Sequence, residues 1–600
     1  MTWKTEWTKW STHSELSSKL KKQMNEMIES EREDAFYKQL EFGTGGMRGE
    51  LGAGPNRMNI YTIRKVTAGL AKYIEENGTE AKKRGVVIAY DSRHGSAEFA
   101  LEAAKTLGAH GIKSYVFQEL RPTPELSFAV RYLRAYAGIM ITASHNPSEY
   151  NGYKVYGEDG AQLPPAAADV IVTHMNEIEN ELLLEIKDER ELLSQNLVSY
   201  IGENLDQVYL DYVKGLQLNK DVANLANLHI VYTPLHGTGQ TLMPQALQNT
   251  GFQHITIVDE QRNPDPHFST VASPNPEEAQ AFQLAIKYGK ETGADLLLAT
   301  DPDADRLGVA VRNNDGQYIL LTGNQTGALL LYYMLSKKQE KGILPDNSVM
   351  LKTIVTSELG RAIAEDYGVQ TVDTLTGFKY IAEKIDEYKK KGTKTFQFGY
   401  EESYGYLIGD FVRDKDAVQA AVMIAEAASY YKQKEMMLYD GLIELYETYG
   451  YYKESLTSFT LKGKDGAEQI NRIVNRFREH HLAEIAGAAV EKIEDYQTGL
   501  RTSLLTAQQE KIDLPSSNVL KFWLQDGSWF AIRPSGTEPK VKFYFGVRQG
   551  TNRKSEERLK EVKTSENKCY QCSERDIAQY QKSTDIYQCF FYLILPKEIF

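Results

Sequence analysis

What this 600-residue chain lacks narrows its possible roles quickly. Cysteine is scarce: Cys569, Cys572 and Cys589 are the three in the chain, too few for a disulfide framework and in keeping with a reducing compartment. Basic charge is not in excess either. The 82 acidic residues outnumber 69 basic ones, for a formal charge of −13, which disfavours a general nucleic-acid binder. An anionic substrate would therefore need a local cationic pocket against an acidic background. The longest apolar run near the end, residues 589–595, falls far short of the ~20 residues that span a bilayer. The first residues, Met1-Thr2-Trp3-Lys4-Thr5-Glu6, are charged and have no apolar core, so no signal peptide is expected. Low-complexity linkers and short-period repeats are also missing. The expected setting is the cytoplasm, with neither nucleic acid nor membrane as partner; oligomeric state is not legible in the sequence.

The composition, 42% hydrophobic and 25% charged, is that of an ordinary globular protein. The length is too great for one core and predicts several domains. Trp3, Trp7 and Trp10, followed by Leu16, Leu20 and Met24, recur at helical spacing and predict a docking helix. From Thr62 onward, helical patterns alternate with apolar runs at residues 86–90, 114–117 and 137–141, which marks an α/β sheet. A second such set begins near 228 and leads to residues 296–300; a third runs from 325 to the helix at 416–431. The polar stretch 176–187, with Asp188-Glu189-Arg190-Glu191 behind it, reads as a solvated helical connection. After about 454 the strands alternate apolar and polar, as in a smaller antiparallel α+β domain. The fold class is α/β, with domains expected at 1–215, 216–323, 324–454 and 455–550, then an atypical tail from 551.

The chemistry concentrates where strands end. Thr142-Ala143-Ser144-His145-Asn146-Pro147 follows a buried run and presents Ser144 as a candidate nucleophile on a stiff turn; a turn bonding its own backbone would explain the same residues. His145 is not expected to be its base, because neighbours in sequence rarely face each other. Asp301, Asp303 and Asp305 follow another buried run, and oxygen-only donors favour Mg²⁺ or Ca²⁺ over zinc. A calcium loop needs glycine at its sixth position and glutamate at its twelfth, where this chain has Arg306 and Arg312, so that reading fails. A metal beside a serine suggests a phosphoserine and phosphoryl transfer, with Arg48 and Arg306 stabilising charge. The glycines of residues 43–49 allow close backbone approach to a ligand; the segment lacks the strand-then-helix setting of a dinucleotide loop. Arg533-Pro534-Ser535-Gly536-Thr537 combines a guanidinium, hydroxyls and open backbone in a form suited to a phosphate monoester. Glu401 and Ser403 offer acceptors for sugar hydroxyls. Lys154 and Lys415 are candidates for proton transfer, and nothing in the sequence ranks one above the other.

Taken together, these loops closely resemble those of the α-D-phosphohexomutases and, within them, the bacterial phosphoglucomutases. The matching segments are residues 142–147, 301–306, 399–405 and 533–537, with 43–49, 151–154 and 376–379 beside them, all in the family's order. The resemblance implies four domains around a central cleft, with Ser144 phosphorylated. It also implies Mg²⁺ held by Asp301, Asp303, Asp305 and the seryl phosphate at Ser144. Glu401 and Ser403 would read the sugar and Gly377 would lie at the substrate. Arg533, Ser535, Gly536 and Thr537 would take the distal phosphate. Arg48, Lys154 and Lys415 would be catalytic. The implied reaction interconverts glucose 1-phosphate and glucose 6-phosphate through glucose 1,6-bisphosphate, which is both intermediate and activator. Tyr404 stands where many members carry glycine or phenylalanine, a form that also resembles relatives acting on pentose phosphates or making glucose 1,6-bisphosphate; mannose and pentose phosphates stay open as substrates. A metal-dependent phosphatase and a non-catalytic sugar-phosphate sensor are the other classes considered; two phosphate-binding loops and an intact nucleophile favour the mutase. The tail does not fit: the Cys-x-x-Cys of 569–572 has no second pair or nearby histidine to complete a zinc site. The family's closing helix stops after Leu559 and Val562. The expectation is a shifted reading frame from near Lys563.

Overall fold

The apolar runs that end in the candidate loops are buried strands. Ala137–Ile141 and Leu296–Thr300 are buried at every position, which continuous β-branched and aliphatic runs favour in parallel sheets. The structure, a computed structural model, describes residues 2–43, 46–222, 227–461, 463–479, 482–535 and 540–564. The tail from 565, including all three cysteines, lies outside the described residues, as do Thr44, Gly45, Gly536 and Thr537. No helix among the described residues is long and apolar enough to cross a membrane.

The chain divides into two units. The first, residues 1–352, 364–372 and 377–441, carries a seven-stranded sheet in the order Phe42–Gly43, Gly46–Glu50, Tyr150–Gly157, Ala137–Ile141, Val86–Tyr90, Ser114–Phe117, Val198–Ile201. The last four strands run parallel, and Tyr150–Gly157 returns antiparallel to Ala137–Ile141. Helix Ile60–Glu76 opens on Asn59, whose side chain accepts from the N–H groups of Tyr61 and Thr62, satisfying donors that a helix start leaves open. A five-stranded sheet follows, with Leu296–Thr300 between parallel His229–Thr233 and antiparallel Leu307–Arg312. Further on, Ser348–Thr353 runs parallel to Thr395–Glu401, which turns back into Gly405–Leu407. The expected α/β class is the observed one.

Helix Ala417–Gln433 is buried on nearly every face. Its alanines (Ala417, Ala420, Ala421, Ala425, Ala427, Ala428) allow close packing against helices Gly239–Asn249 and Gly323–Glu340 and strand Leu296–Thr300. That contact ties the second and third α/β sets together. The tryptophan pattern forms helix Trp3–Ser11, with Trp10 fully buried edge-on against Phe36 and Tyr61.

One expectation fails. Residues 176–187 are not a continuous solvated helix: helix Pro165–Asn176 ends there, and a single 3₁₀ turn, Glu181–Leu183, follows. Glu181 is buried because Trp10 Nε1 donates to it at 2.9 Å and Lys9 Nζ at 3.1 Å. These partners offset the cost of taking the carboxylate out of water.

The second unit, residues 353–363, 373–376 and 442–600, is built on an antiparallel sheet that includes Tyr451–Thr460, Lys540–Gln549, Trp529–Pro534, Leu520–Leu524 and Ala488–Asp495. Helix Gly463–Glu479 places Ile470, Ile473, Val474 and Phe477 on Phe522, Phe530 and Phe543. Helix Asn552–Thr564 adds Leu559 and Val562 to the same core.

Candidate active site

Ser144 stands at the carboxyl end of strand Ala137–Ile141 with φ of 52°, a left-handed conformation that costs a non-glycine residue on the order of 1 kcal/mol. The turn is fixed locally: Thr142 Oγ1 accepts from the Ser144 N–H at 2.8 Å. Gly152 lets strand Tyr150–Gly157 approach from behind, since a Cβ there would sit 2.5 Å from the Thr142 carbonyl. The left-handed turn also brings His145 Nδ1 to 3.3 Å from Ser144 Oγ. The expectation that these neighbours face apart is therefore wrong, because the positive φ swings the next side chain round. The shorter contact is with another loop: Ser144 Oγ donates to Asp301 Oδ2 at 2.8 Å.

The aspartate loop leaves strand Leu296–Thr300 and re-enters strand Leu307–Arg312 within six residues. Its fold is pinned by Asp301 Oδ1, which accepts from the N–H groups of Asp305 and Arg306, and by Ala304 at φ 50°. Asp301, Asp303 and Asp305 are buried, and their carboxylate oxygens lie within 4.8 Å of one another. Oδ1 of Asp303 and Oδ1 of Asp305 are buried without a hydrogen-bond partner. Buried carboxylate oxygens left in this state are expensive, and three together with two bare oxygens suit a cation. The triad can hold a metal ion.

Two lysines face the same carboxylates. Lys154, on strand Tyr150–Gly157, lies 2.9 Å from Asp303 Oδ2 and 3.7 Å from Asp305. Lys415 lies 3.1 Å from Asp305 and 3.2 Å from Asp414. Asp416, the next residue, caps helix Ala417–Gln433 through the Val418 and Gln419 N–H groups. Burial alone would push both lysines down, but the neighbouring carboxylates outweigh it and hold both above their ordinary value. Burial likewise opposes the charge on Asp303, yet Lys154 and hydrogen bonds keep its carboxyl well below the usual range. Asp301, which has no lysine beside it, is raised by burial and by the charges of Asp303 and Asp305.

Glu401 ends strand Thr395–Glu401, is buried, and accepts from the Gly377 N–H at 2.8 Å. Burial raises its carboxyl. Ser403 lies in the turn that follows, kept tight by Tyr404 at φ 64°. Arg48, on strand Gly46–Glu50, donates to Asn146 Oδ1 at 3.0 Å and so reaches the serine loop. A Cβ at Gly46 would meet the Tyr153 carbonyl at 2.4 Å, so this glycine admits a neighbouring strand. Arg306 is paired with Glu277. In the second unit, Arg533 is half-buried with Nη1 3.4 Å from the Tyr544 hydroxyl, and the Ser535 N–H donates to the Lys540 carbonyl at 2.7 Å.

The structure thus brings together Ser144, Arg48, Lys154, Lys415 and the three aspartates, with Gly377 and Glu401 joined to each other. Sequence reasoning missed three residues. Thr123 Oγ1 donates to Asp303 Oδ2 at 2.8 Å, Glu277 holds Arg306, and Arg93 lies against the serine loop. None carries a local signal beyond being polar near a strand or helix end.

Comparison with known proteins gives the family. Models of the phosphoglucomutase/phosphomannomutase family match in order: alpha/beta/alpha domain I at residues 39–182, domain II at 207–316, domain III at 322–449, and the C-terminal domain at 470–564. A phosphoglucomutase from Staphylococcus haemolyticus is 41% identical over 517 residues, 86% of this chain and 92% of that protein. One from Staphylococcus aureus strain USA300 is 41% identical over 518 residues, 86% of this chain and 91% of its own. Among solved structures, a putative phosphomannomutase from Thermus thermophilus matches with TM-score 0.65 at 21% identity, over 89% of this chain and 100% of that one. The open form of parafusin, a phosphoglucomutase from Paramecium, matches with TM-score 0.64 at 17% identity, over 93% and 97%. With four consecutive domain matches and relatives this similar over most of both lengths, the chain belongs to the phosphoglucomutase/phosphomannomutase family, the α-D-phosphohexomutases.

Proposed function

We propose that the chain is a phosphotransferase that interconverts glucose 1-phosphate and glucose 6-phosphate, with Ser144 as the residue that carries the phosphoryl group. The observation that carries this reading is the 2.8 Å contact of Ser144 Oγ with Asp301 inside a buried carboxylate triad. A serine that only closed a turn would not need a metal-binding cluster at its hydroxyl. The curated relatives named as phosphoglucomutases support glucose as the sugar.

Asp301, Asp303 and Asp305, hard oxygen donors at close range, would hold Mg²⁺. Bound there, it would neutralise charge on the seryl phosphate. The protein's own part is positioning and proton handling. The phosphoryl group passes from Ser144 Oγ to the 6-hydroxyl of glucose 1-phosphate; the P–Oγ bond breaks as the P–O6 bond forms, and the hydroxyl proton leaves to a group in the site. The bisphosphate then presents its 1-phosphoryl group to Ser144 Oγ, and the departing O1 takes a proton. Lys415 and Lys154 hold protons within reach of the triad and are the candidates for protonating O1; the one that gives its proton up can take the hydroxyl proton of the next cycle. Arg48, anchored on Asn146, steadies developing charge. Glu401 with Gly377, and Ser403 beyond them, would grip sugar hydroxyls. Arg533 and Ser535, with Gly536 and Thr537, would bind the distal phosphate. The division of labour follows the domains expected at 1–215, 216–323, 324–454 and 455–550.

The test is incubation with glucose 1-phosphate, Mg²⁺ and catalytic glucose 1,6-bisphosphate, with mannose and pentose phosphates in parallel. Glucose 6-phosphate is the expected product, and Ser144→Ala abolishes it. Free phosphate would make the chain a phosphatase, and no turnover would make it a sensor. Faster conversion of a mannose or pentose phosphate would reassign the sugar.

A further inference from the structure

Ser144 sits in a strained conformation, and the eight-residue passage from strand Ala137–Ile141 to strand Tyr150–Gly157 leaves several carbonyls with no ladder partner. Buried carbonyls need donors. The structure answers with one side chain from another loop. The Arg93 side chain has no exposed surface. Its Nη2 donates to the carbonyls of Ser144, at 2.6 Å, and Asn146. Its Nη1 donates to those of Pro147 at 2.7 Å and Tyr150 at 3.0 Å. These contacts use all four terminal N–H groups of the guanidinium fork.

The charge is neutralised from the other side. Arg93 Nε lies 3.2 Å from Asp91 Oδ2, and Asp91 Oδ1 is fixed by the Ser96 hydroxyl and the Arg93 N–H. The Phe268 ring lies 4.9 Å from the guanidinium carbon and adds cation–π attraction. Asp91 is itself registered to the catalytic strand, since its N–H donates to the Ile141 carbonyl at 3.0 Å. The fork is therefore referenced to the same sheet that delivers Ser144.

We infer that Arg93 is a positioning residue for phosphoryl transfer. By gathering three loop carbonyls and that of Tyr150, which opens the next strand, it holds Ser144 in its left-handed conformation, with Oγ aimed at Asp301. With every terminal N–H engaged on backbone, it does not serve as a phosphate ligand. The inference rests on the phosphoserine reading above and goes beyond it, because it assigns a role to a residue that touches neither sugar nor triad. Lysine cannot replace it, since one ammonium has three donors and no planar fork.

The experiment compares wild type, Arg93→Lys and Arg93→Ala in the full chain. It measures kcat and KM for glucose 1-phosphate, the rate at which labelled glucose 1,6-bisphosphate phosphorylates Ser144, and the melting temperature. Both variants are expected to hold KM within about threefold while kcat and labelling fall about a hundredfold, the scale of an ångström-sized misplacement. Guanidinium added below denaturing concentration restores part of the loss in Arg93→Ala only. If wild type is not labelled, the phosphoserine reading fails. If wild type is labelled and the variants label equally fast, or KM rises while kcat stays, the positioning role is overturned. Loss of the fold in both variants would make Arg93 a purely structural residue and overturn it equally.

Discussion

Thr123 Oγ1 donates to Asp303 Oδ2 at 2.8 Å, the oxygen that Lys154 Nζ reaches at 2.9 Å, and the Thr123 N–H donates to the Asp303 carbonyl at 2.9 Å. One residue at the start of helix Thr123–Tyr132 thus grips both ends of a central triad residue. Partners of this kind orient a ligand and commonly matter 10–100-fold in metal affinity. Thr123→Val is expected to raise the Mg²⁺ concentration for half-maximal activity about tenfold or more, with activity recovering at high Mg²⁺. Titrating the variant with Mn²⁺ by electron paramagnetic resonance checks affinity apart from turnover. An unchanged affinity would remove Thr123 from the site.

Gly152 tests the packing behind the serine. A Cβ there meets the Thr142 carbonyl at 2.5 Å and the Met47 carbonyl at 2.9 Å, both backbone atoms that yield only if strands move. Overpacking of this kind costs about 1–3 kcal/mol. Gly152→Ala should lower the melting temperature and reduce kcat together, because the Thr142 carbonyl and the Ser144 turn share one backbone segment. A variant with normal stability and activity would mean the strands part freely.

The reactive loops were legible because each joins a local signal to another: a buried run, then a turn rich in acids, glycine or hydroxyls. The aspartates of 301–305 and the serine of 142–147 needed no tertiary information. Residues acting at a distance did not share that advantage. Arg93 lies 51 positions from Ser144 and Thr123 lies 180 from Asp303, so sheet order makes those contacts and composition says nothing of them. Glu181 misled for the same reason: in sequence it belongs to a polar, solvated stretch, and its partners Trp10 and Lys9 lie more than 170 residues away in the chain. His145 was misjudged because a positive φ at Ser144 is invisible in a string of residue types.

Glu426 predicts a pH dependence of stability. It is fully buried on helix Ala417–Gln433, and Oε1 accepts from the Leu218 and Asn219 N–H groups and the Tyr333 hydroxyl. Its other oxygen has no hydrogen-bond partner. Burial pushes its pKa up to about 7, against the hydrogen bonds to Tyr333, Asn219 and Leu218 that lower it. Because the folded value lies above the unfolded one, the native state binds the extra proton. Stability from this group is therefore full in acid and lost as pH rises from the ordinary carboxylate range through about 7, with a slope of at most ~1.4 kcal/mol per pH unit. Glu426→Gln keeps the acceptor and removes the titration. Its urea midpoint should gain on wild type as pH climbs from 5 to about 8, and parallel curves would refute the assignment.

Lys415 and Lys154 are the two candidates for the proton work, and their different partners allow the shares to be measured. Lys415 is held between Asp305 and Asp414, whereas Lys154 is held between Asp303 and Asp305. Loss of a positioned proton donor or acceptor typically costs 10²–10⁴-fold, so at least one alanine variant should lose turnover on that scale. Single-turnover transfer from phosphorylated Ser144 to glucose 1-phosphate then separates them. The lysine that exchanges the hydroxyl proton slows this step with Mg²⁺ saturating. A lysine acting only through a triad carboxylate shifts the Mg²⁺ dependence and leaves the saturated step near wild type. If both alanine variants transfer at the wild-type rate with Mg²⁺ in excess, neither lysine moves the proton, and the role passes to another group in the site.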